Sequence, residues 1–163
     1  YWLPKELILF DNSKLRRKIN ISLSDDSNLI FCETSIFGRK AMSEEIKNIL
    51  FSDQWNIYID SSLKHFEGIN IKGSMIDNYK NNYTFANKSS LSTILIFGEI
   101  IHTLESELRK ATKNIENHYC EMTKFDEKII IRSIADDNFD LKKTLNSIMK
   151  NVINDKLPKS WDL

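Results

Sequence analysis

The sequence predicts an α+β protein that is mainly β, with a small C-terminal β-α-β-α part carrying two helices. Three observations carry that prediction. Leu15, Ile19, Ile21 and Leu23 alternate with Arg16, Lys18, Asn20 and Ser22, the period-two pattern of a strand with one buried face. Short extended segments divided by turn-forming residues follow as far as residue 90. Beyond residue 91 the apolar period changes from two to between three and four.

Taken in order, the extended segments are Leu15–Leu23, Leu29–Phe37, Ala41–Phe51 and Gln54–Ile59. Arg17 breaks the first pattern: it falls on the inward side and therefore needs a carboxylate. Its neighbours Arg16 and Lys18 read as the wet face of a strand, and the competing reading is a contact with an acidic patch on a partner. From Gly68 to Ser90 the chain is rich in Asn, Lys, Ser and Tyr with weak periodicity, which reads as loop with at most short strands.

A strand is expected at Ser92–Phe97. It is followed by a helix with Ile101, Leu104, Leu108, Ala111 and Ile115 on one stripe, a strand in KIIIRSI, and a second helix. The second helix places Leu141, Leu145, Ile148, Met149, Val152 and Ile153 on one face. Asp137 and Asp140 are available to cap its start, and Pro158 follows its end. At 163 residues the chain fits one domain, 1–163, β-rich from 1 to 90 and β-α-β-α from 91 to 163.

Lys and Arg total 23 and so do Asp and Glu, so no overall field favours nucleic acid or an anionic membrane surface. The longest apolar run, Leu91–Ile101, is far short of the ~20 residues a spanning helix needs. Cys32 and Cys120 show no paired-cysteine spacing and read as reduced thiols of a cytoplasmic protein. The sequons at Asn20, Asn82 and Asn87 are of the kind that chance produces in a chain rich in Asn and Ser.

Hydrolase elbow, metalloprotease, phosphate-loop, dinucleotide and calcium-loop motifs are not found, and His65, His102 and His118 share no metal-ligand spacing. Two readings from other classes stay open on the residues alone. One is a small cysteine hydrolase using Cys32 or Cys120 with a distant histidine; the other is a β-rich interaction module without a metal role.

The distinctive chemistry sits in CETSIFGRKAMSEE, where Glu33 lies in an apolar strand, Gly38 and Arg39 make a turn, and Glu44 follows. A carboxylate in a half-buried strand needs a cationic partner or handles something positive. One reading pairs Glu33 with Arg39 across the turn at Gly38, with Glu44 facing solvent or serving as a second partner.

Several motifs resemble the UreD (UreH) family of urease accessory proteins. They are Trp2, Leu3, Pro4 and Glu6, then Ile8–Asp11, Leu15–Arg17, Glu33, Phe37–Arg39, Ala41, Met42 and Glu44, with LPKSW at Leu157–Trp161 matching the family's terminal LP-x-x-W. The resemblance runs along the whole chain and covers the later part of the family's sequence. The opening without methionine agrees with a chain that begins inside a longer polypeptide. Ser43 departs from the glycine usual at its position, which bears on the turn near Glu44, and Lys5 replaces a usual glutamine.

The resemblance implies a layered or helical β-strand core, and a non-enzymatic scaffold, or metallochaperone, of the cytoplasm that binds apo-urease structural subunits and UreF. UreF in turn recruits UreG, and the assembly delivers nickel during maturation of the urease centre. No tightly bound cofactor is implied; nickel is in transit. Carboxylates bind divalent first-row ions more weakly than imidazole or thiolate, so Glu33 and Glu44 are candidate transient nickel ligands, joined by Glu6, Asp11 and Asp60. Glu6, Asp11, Arg17, Gly38 and Arg39 are the candidate structural or partner-binding residues. Trp2 and Trp161 are expected to anchor the two ends on the core rather than to act as binding hot spots.

Overall fold

The computed structural model describes residues 1–39, 42–73, 85–115, 119–153 and 157–161. Lys40, Ala41, residues 74–84 with the sequon at Asn82, and His118 lie outside the described residues. Eight strands form two sheets. In the first, β1 (Leu7–Leu9), β3 (Leu29–Phe37), β6 (Ser90–Phe97), β8 (Lys128–Ala135) and β7 (Tyr119–Phe125) lie in the order β1-β3-β6-β8-β7. In the second, β2 (Lys14–Leu23), β4 (Ile49–Ile59) and β5 (Ser62–Gly73) lie in the order β2-β4-β5. The two pairs β1–β3 and β2–β4 are parallel and the other pairs antiparallel.

Helices α1 (Ile100–Lys113) and α2 (Asn138–Met149) cover the far face of the five-stranded sheet. The molecule therefore has three layers: three-stranded sheet, five-stranded sheet, helices. This is the mainly β, α+β class that the sequence pattern predicts, and the layering is what the family resemblance implies.

Layering explains why Leu29–Phe37 reads as a continuous apolar run. Every residue of β3 is buried, because both of its faces are covered. Ile30, Cys32 and Ile36 face the helices with Ile94, Ile96, Leu108, Leu145 and Ile148. Leu29, Phe31 and Phe37 face the other sheet, meeting Trp55, Ile57 and Phe51 in two further clusters. Glu33 has the parity of Phe31, so its side chain is committed to the space between the sheets.

The strand boundaries differ from the sequence expectation in four places. Ser52-Asp53 is not a turn but lies in the middle of β4, whose inner face is Phe51, Asp53, Trp55 and Ile57. The expected strand beginning at Ala41 is absent among the described residues, since 42–48 are irregular and extended structure starts at Ile49. β5 continues through Gly73 where loop was expected, and β7 adds a strand between α1 and β8. Both of these are edge strands with one largely wet face, which weakens their apolar signal.

The helices follow the expected stripes. Asp137 accepts from the backbone N–H of Asp140 at 3.0 Å, and Leu141, Leu145, Ile148 and Met149 are buried, with Val152 and Ile153 beyond the last turn. In α1, Ile101, Leu108 and Thr112 are buried, the Thr112 hydroxyl donating back to the Leu108 carbonyl at 2.9 Å. The start of α1 is served from outside: Asn28 Oδ1 accepts from the Ile100 N–H at 3.0 Å.

The two ends of the chain meet. Trp2 bridges Phe31 on the edge of β3, taking the Ile30 carbonyl at 2.8 Å and giving its own carbonyl to the Cys32 N–H at 2.9 Å. Trp161, 6 % exposed, donates its indole N–H to the Leu3 carbonyl at 3.3 Å. Leu3, Leu157 and Trp161 pack together on the helix-side core, whereas the Trp2 ring lies on the opposite side of β3, stacked on Phe31, and stays 47 % exposed, so of the two tryptophans Trp161 is the buried anchor.

Candidate functional site

Between the sheets lies a buried polar cluster built from three strands and the segment ahead of β1. Arg17 on β2 aligns with Asp53 on β4 in the parallel register, and Glu33 on β3 comes from the opposing sheet. Arg17 grips Asp53 with a fork, Nε to Oδ1 at 2.9 Å and Nη2 to Oδ2 at 2.6 Å, and Nη2 also donates to Glu33 Oε2 at 2.8 Å. Two indoles complete the set: Trp2 Nε1 donates to Glu33 Oε1 at 2.7 Å and Trp55 Nε1 to Asp53 Oδ2 at 3.0 Å.

The carboxylate side chains are 3 % and 2 % exposed and the guanidinium side chain 26 %, so one cation faces two buried anions. Burial works against the charge on Arg17, and Asp53 and Glu33 more than offset it, raising its pKa above the ordinary arginine value. Aromatic rings wall the cluster. Phe31 stacks on Trp2 at 6.0 Å between centroids and meets Trp55 edge-on at 4.9 Å.

This geometry corrects the expected pairing. Glu33 does not pair with Arg39; the inward Arg17 is its partner, because β3 parity directs Glu33 away from the turn that holds Arg39. Sequence reasoning identified the need of Arg17 for a carboxylate but missed Asp53 and Trp55. The signal was present in the alternation Phe51, Asp53, Trp55, Ile57, which the reading of Ser52-Asp53 as a turn hid.

Arg39 instead holds Glu44. Its backbone N–H and Nε both donate to Glu44 Oε2 at 3.1 Å, and Nη2 donates to Oε1 at 3.2 Å. The Arg39 side chain keeps the Glu44 carboxyl below its ordinary pKa, and the guanidinium lies 4.6 Å from the centre of the Phe10 ring. Gly38 makes the turn with φ +78°, and a Cβ there would stand 3.1 Å from the Glu44 carbonyl oxygen. Ser43 has φ 54°, the left-handed conformation for which the family's usual glycine is suited. A cleft of about 460 Å3 opens beside this turn, lined by Ile8, Ile36, Gly38, Arg39 and Phe139 among others.

Of the remaining expected residues, Asp11 adjoins Glu44, which its backbone N–H helps to hold, while Glu6 and Asp60 lie elsewhere. Asp11 receives the backbone N–H groups of Asn48 at 2.9 Å and Lys47 at 2.8 Å, which draws its pKa down and ties the segment after β1 to the approach to β4. Glu6 pairs with Lys142 at 2.9 Å, fastening the edge of the five-stranded sheet to α2. Asp60 sits with Ser61 in the tight turn joining β4 to β5, with φ of 45° and 67°. Among the described residues no three His, Cys, Asp or Glu side chains gather as metal ligands.

The thiols are not activated. Cys32 is buried on the helix side of β3 beside the Ser92 hydroxyl, and burial pushes its pKa up to about 12. Cys120 accepts from the Ser133 hydroxyl at 3.2 Å, and burial raises its pKa too. A cysteine hydrolase needs the opposite shift. Among the described residues no helix is long and apolar enough to cross a membrane.

Residues 1–160 match the family model described as UreD urease accessory protein. This chain belongs to the UreD family. Relatives named "Urease accessory protein UreD" include one from Rhizobium rhizogenes, 29 % identical over 163 residues, spanning 99 % of this chain and 59 % of the relative. Another, from Rhizobium leguminosarum bv. viciae, is 30 % identical with the same coverage, and one from Agrobacterium fabrum is 30 % identical over 100 % of this chain and 56 % of its own. The chain thus spans less than two thirds of the length of these UreD relatives. Within it, the family motifs fall on the structural joints just described: the Trp2–Leu3–Trp161 junction, the Arg17–Glu33 pair, and the turn from Phe37 to Glu44.

Proposed function

We propose that this chain is the later part of a UreD-type scaffold that takes part in urease maturation by binding, not by catalysis. The observation that carries the reading is the match of residues 1–160 to the UreD family. In this reading the protein works in the cytoplasm, holds apo-urease and UreF, reaches UreG through UreF, and helps deliver nickel as cargo.

The inter-sheet cluster supports a scaffold role. A guanidinium locked to two carboxylates, each also held by an indole, fixes how the sheets stack and offers no unpaired nucleophile or base. Deleting the full-length gene from a urease-positive cell should abolish urease activity and urease-bound nickel, both restored by the gene in trans. Full activity without it would end this reading.

A second reading has Glu33 and Glu44 lining a transient nickel path. One observation favours it: the cluster holds two carboxylates against one guanidinium, leaving net negative charge between the sheets. For nickel to touch either glutamate, Arg17 or Arg39 has to yield its place. Glu44 is the accessible one, with its side chain 17 % exposed against 3 % for Glu33. Glu44→Gln then lowers the nickel content of urease at least tenfold while the melting temperature of the scaffold stays unchanged; unaltered nickel loading would leave Glu44 as a turn strut.

A further inference from the structure

The outer face of the three-stranded sheet gathers four cations in adjoining rows. Register places Lys14, Leu50 and Lys72 in one row across β2, β4 and β5, Arg16, Ser52 and Asn70 in the next, and Lys18, Gln54 and Gly68 in the third. All four cations are exposed, and no acidic residue stands in these rows. Along β2 they repeat every second residue, about 6.7 Å apart, and Lys72 lies two strands over, about 9.6 Å from Lys14.

Several surface cations elsewhere are matched, while others, such as Lys47, Lys113, Lys143 and Lys150, stand singly without an ion pair among the described residues. Arg109 and Lys124 share Glu105, Lys110 has Glu107, and Arg132 has Glu67. Among the described residues none of Lys14, Arg16, Lys18 and Lys72 takes part in an ion pair. In a chain whose charges balance, 23 against 23, an unpaired group of four like charges on one flat surface is a local field.

Beside the charges runs a fixed amide row: Gln54 Nε2 donates to Asn56 Oδ1 at 3.0 Å and Asn56 Nδ2 to Asn20 Oδ1 at 2.7 Å. Asn56 is itself buried, so this row stiffens the sheet beside the cations and presents Asn20 and Gln54 at its ends. The three basic rows hold no aromatic side chain on which a base would stack; the exposed Phe66 stands in the next row, opposite Asn56.

We infer that the outer face of β2-β4-β5, through Lys14, Arg16, Lys18 and Lys72, docks an acidic surface of a protein partner. The inference rests on the scaffold reading for the choice of partners, and deepens it by naming the face and the charge of what it meets. Carboxylates two residues apart on a strand, or one turn apart on a helix, match the spacing of the cations. Such a contact steers association and weakens as salt rises.

The test uses the full-length protein with apo-urease and UreF from the same organism. One variant carries Lys14→Glu, Arg16→Glu, Lys18→Glu and Lys72→Glu; a milder one carries glutamine at the same four positions. The control carries Lys113→Glu, Lys143→Glu and Lys150→Glu on exposed positions of the helical layer. The expected result is at least a tenfold weaker complex with one of the two proteins for the Glu set, a smaller loss for the Gln set, and no change for the control. Wild-type binding should also fall several-fold between 50 and 300 mM salt, roughly as screening of exposed charges predicts.

Equal binding by wild type, the face variants and the control would overturn the docking face while leaving the scaffold reading intact. Face-dependent binding of a 20-nucleotide single strand or of phosphatidylserine vesicles, with the protein partners unaffected, would overturn it too. Wild-type binding to neither protein would overturn the scaffold reading and the docking face together.

Discussion

Arg17 is the residue on which the space between the sheets depends. Replacing it by methionine leaves Glu33 and Asp53 buried without their cation, and should lower stability by about 3–5 kcal/mol in urea titrations. Adding Glu33→Gln and Asp53→Asn removes the stranded charges, so the triple variant should lose less than Arg17→Met alone. A loss no smaller in the triple variant would mean that packing, not charge, sets the value of the site. At the neighbouring turn two backbone positions make opposite predictions. Gly38→Ala puts a Cβ at φ +78° and 3.1 Å from a carbonyl oxygen, and should destabilise by about 1–2 kcal/mol. Ser43→Gly relieves a left-handed serine at φ 54° and should stabilise by up to about 1 kcal/mol, read as a rise in melting temperature. These residues were legible because inward parity at Arg17 and the glycine usual in the family at position 43 each state a requirement. Their partners were not, since nothing local says which strand supplies Asp53 or that Glu33 turns away from Arg39.

Among the elements, β3 and α2 were readable at full length because each has a strong apolar signature. In β3 that signature is a run covered on both faces, and in α2 a stripe with a capping aspartate ahead of it. Losing the cap in Asp137→Ala should cost about 1 kcal/mol, checked by thermal melting. β4 was divided in two because polar residues in its middle imitate a turn, although one of them, Asp53, is inward and paired. β5 was not assigned, because its outward face carries Phe66, Gly68, Asn70 and Lys72, a composition shared with loops. It also contains an irregularity that period counting cannot follow: pairing passes from Ile57–His65 to Tyr58–Leu63, skipping Lys64. The skipped carbonyl is met from the other sheet by Lys128 Nζ at 2.8 Å, a cation lying 5.1 Å from the centre of the Phe125 ring.

The whole molecule is fastened layer to layer by a few ion pairs, and that makes its stability depend on pH in a definite direction. Arg132 on β8 reaches Glu67 on β5 at 2.7 Å across the two sheets, and Lys142 reaches Glu6 at 2.9 Å between helix and sheet edge. Burial by itself raises both glutamates; His65 with Arg132, and Lys142, outweigh it and set their pKa values below the ordinary 4.5. Carboxyls depressed in the folded state contribute stability that is complete above their unfolded value and is lost as pH falls through the folded one. The melting temperature should therefore hold from pH 7 to about 5 and drop below about 4.5. Arg132→Met with Lys142→Met should flatten that drop, and an equally steep drop in the double variant would assign it to other groups.

Strand β3 is buried on both sides, yet its antiparallel neighbour β6 lies far along the chain, Cys32 reaching Ser92 across 60 positions. On a ribosome adding roughly 5–20 residues per second, that separation means about 3–12 s during which β3 has emerged and β6 has not. Nascent chains of this protein will pass through those seconds with a sticky nine-residue segment uncovered, which makes them clients for the cell's holding chaperones before any partner is met.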